Sequence, residues 1–265
     1  MFKNNQIIIS IMSAPETNQQ RRSNIEFILL EGEENVSECT LVGGYFGLGR
    51  VGYLSINHLI ENLDVRLIGY INSDFIPPFV SMYSEKMRAP FELWRHKNLI
   101  ILATHFEPYK YEQRSFAEAL VKFAKSNNLS SIIQIGGLDK RYQPDPEFNA
   151  TVVVSNSYDQ ENKGPKIPVM DEGLYVTGPA ALVMLYSQYF SMASILLLPY
   201  AERSRPDPKA AAIAISTIND LIGIDCDVEA LIDEGQSIEI EEQGAREIAE
   251  KESMLEGKSD SGMFV

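Results

Sequence analysis

The sequence is short of cysteine, histidine and long apolar runs, and each shortage closes off a class of function. Its two cysteines, Cys39 and Cys226, stand far apart in unlike surroundings and build neither a disulfide framework nor a thiolate metal site. No two of the three histidines, His58, His96 and His105, are spaced as metal ligands, so no metal or cofactor is expected. No apolar run approaches the ~20 residues that span a bilayer, so no membrane segment is expected. The Ile7-Ile-Ile-Ser-Ile-Met12 run is too short for a secretion signal core with a small-residue cleavage site, which predicts a cytoplasmic protein. Gly-x-Ser-x-Gly elbows and Walker A loops are missing as well.

Charge is plentiful but lopsided. Of the net −14, residues 225–260 carry −10, from 13 acidic and 3 basic side chains. The rest of the chain is close to balance. A phosphate-neutralising face is therefore missing, and nucleic acid is not an expected partner. With 45% hydrophobic residues, the 265-residue chain can bury one large α/β core and still carry extensions.

That core is organised around Cys39-Thr-Leu-Val-Gly-Gly-Tyr-Phe-Gly-Leu-Gly-Arg-Val-Gly52, an apolar run that breaks into glycines and resumes as a proline-free apolar segment to residue 63. The pattern predicts strand, tight turn, helix. Gly47, Gly49 and Gly52 spell Gly-x-Gly-x-x-Gly at that junction, which leaves two readings. In one, Gly47, Gly49, Arg50 and Gly52 form an anion cradle at a helix N-terminus, with Asp74 as the acid about 20 residues on, as in dinucleotide sites. In the other, the glycines only let the helix pack closely on the sheet. Arg50 between the glycines, and Asp74 running into Pro77-Pro78, weigh against a dinucleotide.

Residues 25–30 read as an edge strand and 65–71 as the next core strand, with the short spacing of a parallel βαβ pair. Residues 72–89 are irregular yet carry Phe75, Phe79, Met82, Tyr83 and Met87. They either fold over the core edge or form a subunit interface. Residues 91–96 and 99–104 flank Lys97-Asn98 as a hairpin. Helical patterns follow at 111–127, from Gly178-Pro179 to 190, and at 209–222 behind an Asp207 cap. Strands are expected at 131–135, 150–154 and 193–198. His105 near Glu107 is the best general-base candidate, although a histidine before a Glu-Pro turn is more often structural. The chain thus divides into a flexible extension (1–24), an α/β core (25–224) and an acidic, partly helical tail (225–265). The fold class is a Rossmann-like mixed sheet with helices on both faces, followed by that acidic helical C-terminal tail.

Four stretches together resemble the archaeal branch of the proteasome-assembly-chaperone family. They are Val42-Gly-Gly-Tyr-Phe-Gly-Leu-Gly-Arg-Val-Gly-Tyr-Leu-Ser-Ile-Asn-His-Leu-Ile60, Ile133-Gln-Ile-Gly-Gly137, Thr177-Gly-Pro-Ala-Ala181 and Pro206-Asp-Pro-Lys-Ala-Ala211. The resemblance implies a phosphorylase-like α/β core that is not an enzyme and forms homo-oligomers. It also implies proteasome core particle α-ring subunits as partners, and possible pairing with a paralogous chaperone. Proteins of this kind often end in a hydrophobic residue, a tyrosine and any last residue. Met263, Phe264 and Val265 are similar, with phenylalanine at the tyrosine position, and are the expected docking residues. The rival expectation is a nucleotide- or nucleoside-binding enzyme that uses the Gly47 to Gly52 loop.

Overall fold

The computed structural model describes residues 22–83, 85–158 and 167–259, with 245–259 as backbone only. In chain order the strands and helices begin with β1 (Ile25–Leu29), β2 (Thr40–Gly44), α1 (Val51–Asn62) and β3 (Arg66–Ser73). Then come β4 (Ser81–Tyr83), β5 (Lys86–Arg88), β6 (Phe91–His96), β7 (Leu99–Thr104) and α2 (Gln113–Ser126). The last are β8 (Ser131–Ile135), β9 (Leu138–Asp139), β10 (Ala150–Val154), α3 (Pro179–Tyr189), β11 (Ser194–Ala201), α4 (Pro208–Ile222) and α5 (Glu229–Ser259). Residues of β7, β8 and β11 are buried throughout, as continuous apolar runs in a covered sheet should be. β1 alternates half-buried and exposed residues, the pattern of an edge.

Among the described residues the main sheet has nine strands, in the order β1-β3-β6-β7-β2-β8-β11-β10, with β9 paired to β11. β7, β2, β8 and β11 run parallel at its centre. β10, β6, β3 and β1 join through antiparallel pairs. One face is covered by α1 and α4, with Leu231 of α5 in the same core. The other is covered by α2 and α3. The mixed sheet with helices on both faces is as the hydrophobic pattern predicts.

One expected pairing is corrected. β3 is not the sheet neighbour of β2, because the β6–β7 hairpin lies between them. The spacing of β2, α1 and β3 is right for a parallel crossover, and β3 does run in the direction of β2. The tight β6–β7 hairpin forms a continuous six-residue register from Phe91↔Thr104 to His96↔Leu99 and takes the adjacent place. A second difference lies in the irregular segment, where β4 and β5 form a small separate two-stranded sheet.

Candidate functional site

The parallel strands β2, β8 and β11 deliver their carboxyl ends to one rim of the sheet, the usual place for a site in an open α/β fold. Past β2 the chain passes through Tyr45 and Phe46 into a short 3₁₀ turn at Leu48–Arg50 and then α1. Gly49 has φ +62, and a Cβ there would lie 3.0 Å from Ala201 Cβ and 3.2 Å from Glu202 O. Gly52 is tighter still: an added Cβ would be 2.5 Å from Ile135 O and 2.9 Å from Tyr45 N. Gly52 presses α1 against β2 and β8, and Gly49 fits the turn against the end of β11 and Asp207. Arg50 is exposed in the left-handed region, with φ 51. Of the four residues of the expected cradle, Gly47 is the one that lines the neighbouring cleft. Asp74, the expected dinucleotide acid, follows β3, three places from β2 in the sheet, and its Oδ2 accepts a hydrogen bond from Asn24 N at 2.8 Å.

That cleft has a volume of about 580 Å³ and lies over Gly136, Gly137 and Leu198, beneath the start of α3. Gly178 opens α3 with φ +93 and no side-chain cap, ahead of Pro179. Tyr45 is 5% exposed, lines the cleft, and its hydroxyl has no hydrogen-bond partner among the described residues. Burial, and secondarily the charge of Glu107, hold its hydroxyl well above the ordinary tyrosine range. Burial also raises the Glu107 carboxyl, against the pull of Lys110. Gln134 on β8 is fully buried, and neither its amide oxygen nor its nitrogen finds a partner among the described residues. Its strand neighbour Gly43 makes room for it, since a Cβ there would sit 2.9 Å from Gln134 Nε2. In the sequence, Tyr45 and Gln134 read as strand residues. The signal available was a glutamine inside an otherwise apolar buried strand.

His105 pairs with Glu92 rather than with Glu107, at 3.1 Å from Nε2 to Oε2. Glu92 is fully buried and also receives hydrogen bonds from Arg88 Nη1 (3.2 Å), Trp94 Nε1 (3.0 Å) and Ala89 N (2.8 Å). Burial pushes this carboxyl up. Hydrogen bonds from His105, Ala89 and Trp94 outweigh that, and the group stays below the ordinary glutamate range. The arrangement joins β5, β6 and the turn after β7, and presents no free base. No cluster of three metal-ligating side chains occurs among the described residues.

Next to this network is an apolar surface. Phe75, Ile76, Val80, Met82, Met87, Phe106 and Tyr111 are all exposed. Phe75 and Tyr111 meet edge to face at 5.1 Å, and Tyr109 stacks on Tyr111.

α5 is anchored to the body through its first half. His58 Nε2 lies 2.6 Å from Asp227 O just before it, and Leu231 is buried. Lys209 and Arg205 pair with Glu239 and Glu242. From Glu229 to Ser259 the helix runs about 46 Å, at about 1.5 Å per residue. Helix continues through Gly257, Lys258 and Ser259. Met263, Phe264 and Val265 lie outside the described residues. Among the described residues no helix is long and apolar enough to cross a membrane.

A family model described as the PAC2 family matches residues 41–245. Uncharacterized protein MJ0106 of Methanocaldococcus jannaschii is 23% identical over 219 residues, 83% of this chain and 89% of that protein. Proteasome assembly chaperone 2 of Bos taurus is 24% identical over 183 residues, 58% of this chain and 69% of that protein. Among solved structures, Pyrococcus furiosus PbaA, described as an archaeal homolog of proteasome-assembly chaperone, matches with a TM-score of 0.71 at 24% identity, covering 91% of this chain and 99% of its own. PbaB of the same organism, described as an archaeal proteasome activator, matches at 0.68 and 21% identity, covering 85% and 99%. The structural matches establish a shared fold.

Proposed function

We propose that this chain, which belongs to the PAC2 family, is a non-enzymatic, homo-oligomeric adaptor of the proteasome core particle. The observation that carries the reading is the family match across residues 41–245, which takes in the whole sheet beyond β1 together with the start of α5. Relatives across that span are named as proteasome assembly chaperones or as an activator. The chemistry of the site agrees with a binding role. His105 is held by Glu92, and Gly49 and Gly52 are occupied in packing. The rival reading, an enzyme with its anion cradle at Gly47 to Gly52, therefore finds little support.

In this reading the exposed aromatic and methionine surface joins copies of the chain. α5 carries Met263, Phe264 and Val265 toward a pocket between α-ring subunits. Burying Phe264 contributes roughly 1.5–3 kcal/mol. One such contact is weak, but several on one oligomer act together through effective concentration. The test is binding to immobilised core particle by the intact protein, a form lacking residues 263–265, and Phe264→Tyr. The truncation should abolish binding, and Phe264→Tyr should bind at least as tightly, because it adds a hydroxyl. Unchanged binding by the truncated form would contradict the docking role of these residues.

A further inference from the structure

Among the described residues, the main sheet has one covered edge and one open edge. At β10 the edge is covered: Val152 N donates to Pro168 O, and Val152 O accepts from Met170 N, both at 2.9 Å. At β1 no described segment plays that part. The register of β1 with β3 is flanked by the bonds from Leu30 N to Ile68 O and from Asp74 N to Asn24 O. Hydrogen-bonded pairs alternate in an antiparallel ladder, so Glu26 and Ile28 are the β1 residues that bond to β3. The backbone amides and carbonyls of Ile25, Phe27 and Leu29 therefore point away from the sheet, where no described residue meets them. Such a row is a template for one more strand. The side chains beside it are incompletely covered too. Ile25, Phe27 and Leu29 sit at the margin of the core under α2 and are half-buried. Phe27 stacks on Phe123 of α2, with ring centroids 4.1 Å apart, and Phe123 is also half-buried.

We propose that this edge is closed by the chain's own segment Ile7-Ile-Ile-Ser-Ile11, added antiparallel to β1 in the register Ile7↔Leu29, Ile9↔Phe27 and Ile11↔Ile25. Three observations select this occupant. The first is composition: four of its five residues are isoleucine, a β-branched residue suited to a pleated, half-buried surface. The second is alternation. Ile7, Ile9 and Ile11 would share one face, wholly apolar, as Ile25, Phe27 and Leu29 do on the α2 side. Ile8 and Ser10 would share the other, beside the exposed Ile28 and Glu26. The third is where the chain enters β1. Ser23 donates to the buried Glu112 just ahead of α2, and Arg22 pairs with Glu118 of α2 at 3.9 Å. The chain ahead of β1 thus approaches from the α2 side, beside the gap at Phe27 and Phe123. Residues 12–24 make the return connection, polar apart from Met12, Ala14 and Pro15. A connection of that length is tolerated, because closure entropy grows only with the logarithm of loop length. The inference does not rest on proteasome docking.

Residue-resolved amide hydrogen exchange of the full chain tests it, with Ile9→Pro as the variant that cannot donate to Phe27 O. In the intact protein the amides of Ile25, Phe27 and Leu29 should be protected. In Ile9→Pro they should exchange at least about tenfold faster, as their acceptors are lost. The amides of Glu26 and Ile28, bonded to β3, should stay protected in both, which shows that the variant is folded. A second measurement identifies the chain that supplies the strand. Ser10 and Glu26 would face each other at a non-hydrogen-bonded pair, about 4.5 Å between Cα atoms, within the range a disulfide bridges. The Ser10→Cys, Glu26→Cys double variant, oxidised with glutathione disulfide, should form a disulfide within one chain. Cys39 and Cys226 are buried and do not compete. The proposal is overturned by unprotected amides at Ile25, Phe27 and Leu29 in the intact protein, or by protection that Ile9→Pro leaves unchanged. It is overturned as well by a disulfide that links two chains, which would give the edge to a second copy.

Discussion

Glu92 concentrates the electrostatics of the fold in one side chain. It is a fully buried carboxylate whose charge is matched by Arg88 and by hydrogen bonds from His105, Trp94 and Ala89. The Arg88 guanidinium also lies over the Trp94 ring, 4.6 Å from its centroid. Removing the carboxylate leaves a buried cation without its partner, so Glu92→Leu should lower stability by about 3 kcal/mol in urea titration at neutral pH. Because the native carboxyl titrates below its unfolded value, its contribution is complete above the unfolded pKa and is lost as pH falls through the native one. Stability of the intact protein should therefore fall as the pH drops below the ordinary glutamate range, under about pH 5, and the Glu92→Leu variant should lose less there. An equal slope in both proteins would mean that other carboxylates carry the acid sensitivity. Little of this network could be read from the sequence. His105 and Glu107 are near neighbours there, whereas the partner that holds His105 comes from β6, brought alongside by the β6–β7 register.

The strand-turn-helix unit of β2 and α1 shows which elements are legible in a linear chain. Its apolar run, glycine break and apolar helix are all local signals, and the helix begins at Val51 as the pattern predicts. The Asp207 cap of α4 is equally local: Oδ1 accepts from Ala210 N at 3.1 Å and Oδ2 from Glu202 N at 2.8 Å. What the glycines are for is a tertiary fact, set by Ile135 O on a strand more than 80 residues away. Gly52→Ala separates the two effects. Helix propensity alone favours alanine by up to about 1 kcal/mol. The new methyl would sit 2.5 Å from a backbone oxygen that cannot turn aside, and overpacking of that kind costs about 1–3 kcal/mol. The variant should be destabilised, with faster amide hydrogen exchange at the start of α1. A stabilised Gly52→Ala would show that α1 can move off the sheet without loss. β4 and β5 escaped the sequence reading for a related reason. Each is three residues long and lies close behind Pro77-Pro78, so no run is long enough to show a period.

For the whole molecule, the pattern of strands and helices was legible but the order of the strands was not. Sheet neighbours such as β2 and β8 are joined only after some 90 residues of intervening chain, and no local spacing records that pairing. The cleft was hidden for the same reason. It draws Tyr45 from behind β2, Glu107 from behind β7 and Ala180 from α3. The molecule that results has a closed, two-faced core, an exposed aromatic surface at one side, and a 31-residue helix that starts on the body and leads toward the last residues of the sequence. The adaptor role proposed above assigns a part to each: the core as scaffold, the aromatic surface for self-association and the helix as the arm that reaches a partner. The most direct measurement is native mass spectrometry of the protein mixed with proteasome core particle, for the intact chain and for a form lacking residues 263–265. The account predicts that both forms assemble into the same homo-oligomer and that only the intact one adds its mass to the core particle. A monomeric intact protein, or a core-particle complex that persists without those three residues, would contradict it.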